Sequence, residues 1–261
     1  MTIFKQELRM QKKMLLIWSL SIGLLIATCV LMFPEMKSQM GDVNEMFSSM
    51  GNFTEAFGMD RLDFGTIIGF YSVEGGNIIG IGGAFFAAIV GVSALMKEER
   101  DHTAEFLFAH PVSRTKVITS KLLSVFAIIL ILNAIVLGLS VISIAAIGEK
   151  VFWHELLHFH LAYLLMQLEI AGICFGISSF LTRGGLGIGI GMACLMYFLN
   201  IVANISSSAR PLKYISAFSY TETADIIESG HLELKYLLPG MAFMIAGIVI
   251  AYVKYMKKDL R

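Results

Sequence analysis

Long apolar runs alternate with short polar stretches along this chain, and the runs carry the first prediction. A helix that crosses a bilayer needs roughly 20 mostly apolar residues. Six runs meet that length: about Met14–Phe33, Ile78–Met96, a run within Val117–Ile147, Leu156–Leu181, Leu186–Ile205 and Leu237–Tyr255. The third is too long for one perpendicular span, so it is expected to tilt or to project beyond the membrane. The runs have helix length, not the roughly ten-residue alternation of barrel strands. Only helices and closed barrels pair every backbone polar group inside lipid. The predicted fold is therefore all-α: a polytopic membrane protein with six transmembrane helices, forming one transmembrane domain over 1–261.

Composition agrees with this pattern. Of the 261 residues 56% are hydrophobic and 15% charged, against about 25% charged in an ordinary soluble domain. Mean hydropathy is +0.74. The formal net charge is zero, so nothing points to nucleic acid as a partner. Cys29, Cys174 and Cys194 all lie inside apolar runs. They read as small buried hydrophobes, not as a disulfide framework. No small-residue cleavage site clearly follows the first run, which therefore reads as an anchor.

The placement of the charges gives an orientation. With six spans, 1–13, 97–121, the loop at Arg183 and the C-terminal stretch share one side and hold 14 of the 20 Lys and Arg residues. The other side holds most of the acids, including Glu35, Asp42, Glu45, Glu55, Asp60, Asp63 and Glu74. Basic residues mark the cytoplasmic side, so both termini are predicted to be cytoplasmic. Residues 34–77 then form a long outer loop. Residues 206–235 form a second outer segment, with a short helix near Thr221–Ser229 capped by Thr221 or Thr223. Residues 1–13 have two open readings: a helix lying in the interface before the first span, or a basic flank that only sets orientation.

The most polar stretch, "MKEERDHTAEFLFAHPVSRTKVITSK", falls between the second and third spans. Lys97–Ala109 holds good helix formers and no Gly or Pro. Ala104, Leu107 and Phe108 form one apolar stripe. Pro111 disfavours helix at His110, and Ser113 is placed to cap the next helix. A short amphipathic helix, a break and a new helix would suit a lever across the cytoplasmic surface. A solvated charged loop is the plainer reading of the same residues.

This stretch resembles the signature of ABC-2-type permeases, the membrane subunits of a class of bacterial ABC exporters. The matching positions are Glu98, Glu99, Arg100, Thr103, Glu105, Leu107, Pro111, Val112, Ser113, Arg114 and Lys121. One departure is His102, where the family often has Gly. "FKQELRMQKKMLLIW" is similar to the family's N-terminal entry into the membrane, and "LKYISAFSY" to its segment before the last span. The resemblance implies an ATP-driven exporter in the bacterial cytoplasmic membrane. Residues 97–116 would be a cytoplasmic coupling segment docking on a separate ATPase, with Leu107 and Phe108 as buried contacts. Glu98, Glu99, Arg100, Glu105 and Arg114 would set charged register, and Pro111 would mark the break that passes motion on. The chain has no G-x-x-x-x-G-K-[ST] loop to cradle phosphates. ATP and magnesium are accordingly expected on the partner ATPase, with no cofactor in this chain. A second permease copy or a sister permease is the other expected partner.

A rival reading comes from "HELLHFH" at 154–160, which contains His-Glu-x-x-His. On a helix His154 and His158 share a face and could bind zinc, with Glu155 as general base, as in a membrane metalloprotease. A third ligand is then required. Glu169 lies roughly 16 Å further along one helix at 1.5 Å per residue, too far to serve. Glu169 is also the lone acid in mid-span, where an ionised carboxylate is costly. It is a candidate for the substrate pathway together with Asn133 and Asn200, or else a packing contact. Finally, "TRGGLGIGIGM" sets Gly185–Gly189 and Gly187–Gly191 at the spacing of close helix packing.

Overall fold

The computed structural model describes residues 2–37, 54, 62–97 and 112–257. The described residues form helices and no strands. In chain order these are α1 (Thr2–Lys37), α2 (Ile67–Ser93), α3 (Arg114–Ala146), α4 (Trp153–Ser178) and α5 (Gly185–Ile205). A 3-10 turn at Ser207–Tyr214, the short α6 (Thr223–Ser229) and α7 (Leu234–Lys257) follow. Six of these helices, all but α6, are long and apolar enough to span a membrane, as the hydropathy pattern predicts.

α2 and α4 form the centre. In each, 67% of the most apolar window is buried, against 11% in α7. α1 packs along α3 and α2, α3 also touches α4, α5 lies on α2, and α7 lies on α4. The peripheral helices keep one apolar face outward, with Ile17, Leu24, Ile142, Phe198 and Leu238 all exposed. That is the distribution expected where lipid, not water, is the solvent.

Two helices exceed the roughly 30 Å hydrocarbon thickness by the widest margin. α1 has 36 residues and α3 has 33, or about 54 and 50 Å at 1.5 Å per residue. The first span is therefore part of a helix that begins at Thr2, and residues 2–13 are continuous with it. α3 starts where its sequence predicts. Ser113 is extended and accepts a hydrogen bond from Lys116 N at 3.3 Å, the expected N-cap.

Two expectations are corrected. The outer loop does not reach residue 77, because α2 begins at Ile67. Thr66 caps it by accepting from Gly69 N at 3.2 Å. The stretch "GFYSVEGGN" is too glycine-rich and polar to read as a span, yet packing against α4 holds it helical. Neither Thr221 nor Thr223 caps α6. Glu222 takes the N-cap position without a side-chain cap bond, and Thr221 Oγ1 donates instead to Phe218 O at 2.9 Å. The hydroxyl turns inward because residues 216–221 are buried in the bundle. The outer segment thus includes a wedge seated between helices.

Candidate functional site

At the end of the bundle that holds the start of α1, three elements meet around Lys121. Its side chain is 1% exposed. Nζ lies 3.1 Å from Glu7 Oε1 and donates to Ala94 O at 2.8 Å. Lys97 Nζ stands 3.6 Å from Glu7 Oε2. The helix logic is direct: the last carbonyls of α2 have no intrahelical partner, and a cation at a helix C-terminus satisfies them and matches the dipole. Glu7 then neutralises the buried ammonium.

Arg114 repeats this device. Its Nη1 donates to Tyr255 O at 3.3 Å and Met256 O at 3.2 Å, carbonyls in the last turn of α7. The first turns of α3 therefore carry cations that cap the C-termini of two other helices. Residues 98–111 leave from one of these junctions, at Lys97, and return at the other, through Val112 and Ser113. Of the sequence-predicted coupling residues, Arg114 is described and sits at a junction. Glu98, Glu99, Arg100, Glu105, Leu107, Phe108 and Pro111 lie outside the described residues.

Sequence reasoning counts Lys121 as an orienting charge and as a position of the family signature, gives it no partner, and passes over Glu7. A signal was present. Lys121 is flanked by Val117, Ile118, Leu122 and Leu123, and a lysine inside an apolar run needs a counter-ion.

Polar contacts continue through the membrane-spanning part. Asn133 Nδ2 donates to Gln167 Oε1 at 2.7 Å and to Ile129 O at 2.9 Å. Gly83 of α2 faces the Gln167 amide so closely that a methyl group there would collide with it. Glu169 points to a different neighbour, α7, where Gly240 leaves room for its carboxylate. Tyr220 O–H donates to Glu169 Oε2 at 2.7 Å, and Oε1 is buried without a partner. Burial and the adjacent Glu169 carboxylate hold the Tyr220 phenol well above its ordinary pKa, so it remains a donor. Next to it, Ser219 Oγ donates to Asn200 Oδ1 at 3.1 Å.

The three pathway candidates therefore divide. Glu169 and Asn200 are linked through the adjacent residues Tyr220 and Ser219, while Asn133 belongs to the α3–α4 contact. Asn200 also lines a small polar pocket, about 60 Å³, with Ser72, Asn77, Tyr163, Asn204 and Glu222. Lys213 Nζ holds Glu222 Oε1 at 2.8 Å. Burial nevertheless raises the Glu222 carboxyl above its ordinary range, outweighing the pull of Lys213.

His160 was missed within "HELLHFH". It is buried, with Nε2 at 2.8 Å from the phenol oxygen Oη of Tyr71. Ser140 Oγ donates to Val136 O at 2.9 Å and accepts from Tyr71 O–H at 2.8 Å. Tyr71 has one proton to give, so His160 donates from Nε2, leaving Nδ1 without a partner. Its place with Leu156, Phe159 and Tyr163 on one helical face was the available signal. The candidate zinc residues, by contrast, lie toward the surface. His154 and His158 stack at 4.3 Å, and His158 Nδ1 bonds to His154 O at 2.7 Å. No group of three His, Cys, Asp or Glu side chains placed to hold a metal occurs among the described residues, and Glu169 is committed to Tyr220.

The sequence matches the family described as ABC-2 family transporter protein over residues 1–260. None of the curated proteins compared with it matches. Matched over nearly its whole length, and built on six membrane-length helices, the chain belongs to the ABC-2 family of transporters and is a multi-pass membrane permease.

Proposed function

We propose that this permease is driven by a separate cytoplasmic ATPase, which binds ATP and magnesium and docks on residues 97–116. One observation carries the reading. The segment's two ends are fixed to different helices through buried or charge-assisted contacts: Lys97 and the end of α2 to Glu7 and Lys121, and Arg114 to the end of α7. A push on such a segment is delivered to α1, α2, α3 and α7 together. A solvated loop has no need of anchors at both ends.

In this reading Leu107 and Phe108 fill a groove of the ATPase. Glu98, Glu99, Arg100 and Glu105 fix its register, and Pro111 separates the docked helix from α3. The end carrying the Lys121 junction faces the cytoplasm of a bacterial cell, and the direction of transport is outward. Two permease chains, identical or sister copies, work with two ATPase subunits. The outward-facing Gly187 and Gly191, where an added methyl group would meet open space among the described residues, give one surface suited to close helix packing. The cargo belongs to the classes such exporters handle: drugs, antimicrobial peptides, lipid-like molecules or ions. Leu107→Asp combined with Phe108→Asp is expected to abolish co-purification of the ATPase while leaving membrane insertion intact. Unchanged co-purification would overturn the docking role.

A further inference from the structure

α5 rests on α2, and α7 rests on α4, so α5 and α7 leave a gap between them over one face of α4. The gap is a groove of about 670 Å³. Its floor is the close approach of α4 and α7. Gly176 lies on the backbone of Gly247, and Gly247 on the backbone of Gly172 and Ile173. A methyl group at Gly176 or Gly247 would drive the helices apart. Every lining side chain is apolar; Ile177, Phe180, Leu195, Phe243 and Ile250 form its walls.

One end of the groove is cationic. Lys254 lies one turn beyond Ile250, with Nζ 5.4 Å from the centroid of the Phe180 ring. Arg183 follows Phe180 in the turn between α4 and α5 and is exposed. No carboxylate pairs with either cation among the described residues. From Phe243 to Lys254 the helix rises about 16 Å at 1.5 Å per residue, half of the roughly 30 Å hydrocarbon thickness. The groove is thus one leaflet deep, with positive charge at the level of the headgroups.

We propose that this groove seats an acyl chain of an anionic membrane phospholipid, whose phosphate-bearing headgroup is held by Lys254 and Arg183. The apolar walls alone would accept any lipid tail. The cations at one end, which no carboxylate pairs among the described residues, lie a leaflet's depth from the other end and select the charged headgroup. This assignment does not depend on the ATPase partner or on the cargo.

The test uses the full-length protein in nanodiscs of equimolar phosphatidylcholine and phosphatidylglycerol, released into detergent for native mass spectrometry. The native chain is expected to retain phosphatidylglycerol in preference to phosphatidylcholine. Reversing both cations (K254E with R183E) is expected to cut that retention about tenfold with thermal stability unchanged. Ala246→Phe, which fills the groove, is expected to lose both lipids. Equal retention of the two lipids by the native chain, or undiminished phosphatidylglycerol on the charge-reversed variant, would overturn the proposal. So would a disulfide between two Ile250→Cys copies in a cysteine-free background, which would place a second chain in the groove.

Discussion

Lys121 of α3 is paired with Glu7 of α1 at 3.1 Å, with less than a tenth of either side chain exposed. The same ammonium caps α2 at Ala94 O, so one lysine ties three helices at the base of the 98–111 segment. Removing one member of a buried ion pair costs about 3–5 kcal/mol when the other charge is left wholly unpaired; without Lys121, Glu7 keeps only its longer contact to Lys97 at 3.6 Å. Lys121→Met is expected to lower the unfolding temperature in detergent markedly. Adding Glu7→Gln should recover part of the loss, because no under-compensated carboxylate is then buried. Equal and additive losses in the two single variants and the double variant would show that the pair is not coupled.

Arg114 makes a separable prediction. Its bonds to Tyr255 O and Met256 O are charge-assisted and worth roughly 1.5–3 kcal/mol. Arg114→Ala is expected to speed amide exchange in the last turns of α7 while the α2 end stays protected. Hydrogen exchange by mass spectrometry resolves the two. Uniform loosening of both ends would mean that the junctions are not independent.

Tyr220 ties the buried wedge to Glu169. Tyr220→Phe removes the donor to Oε2 and leaves the whole carboxyl group without a partner, at about 1–3 kcal/mol. Glu169→Gln keeps an oxygen for Tyr220 and is expected to cost less. If the Glu169→Gln variant also transports at the native rate at every pH, a protonation role for Glu169 is excluded.

Glu222 supplies the pH dependence. Its carboxyl is raised in the folded protein, first by burial and despite Lys213, so the folded state holds that proton to higher pH than the unfolded chain does. The stability it contributes is complete below the ordinary carboxylate pKa and is lost as pH rises through the folded value. Glu222→Gln stays neutral throughout. The variant's melting temperature relative to the native protein is expected to rise with pH across the window just above the ordinary carboxylate range, then level off. A flat difference across that window would contradict the burial of an unevenly compensated carboxyl group.

The six spans were legible because lipid imposes one requirement on every spanning residue, and a run of apolar residues states it locally. The Ser113 cap was legible for the same reason: the cap and its helix are neighbours in sequence. Contacts between distant segments were not. Glu7 reads as one acid in a basic flank until α3 brings Lys121 to it, and Tyr220 reads as a loop residue until the wedge carries it to Glu169. The start of α2 was hidden because its glycines lower the hydropathy while permitting the α4 contact that keeps it helical. In "HELLHFH" the literal motif drew attention to the two histidines nearer the surface, whereas burial belongs to His160, on the face shared with Leu156 and Tyr163.

The most direct test of the central claim is affinity purification of the tagged protein from native membranes, followed by an ATP hydrolysis assay on the eluate. The account predicts a co-purifying P-loop ATPase whose activity is lost from the eluate of the Leu107→Asp, Phe108→Asp variant. An eluate with the permease intact and no ATPase, or with the ATPase held equally by that variant, would contradict it.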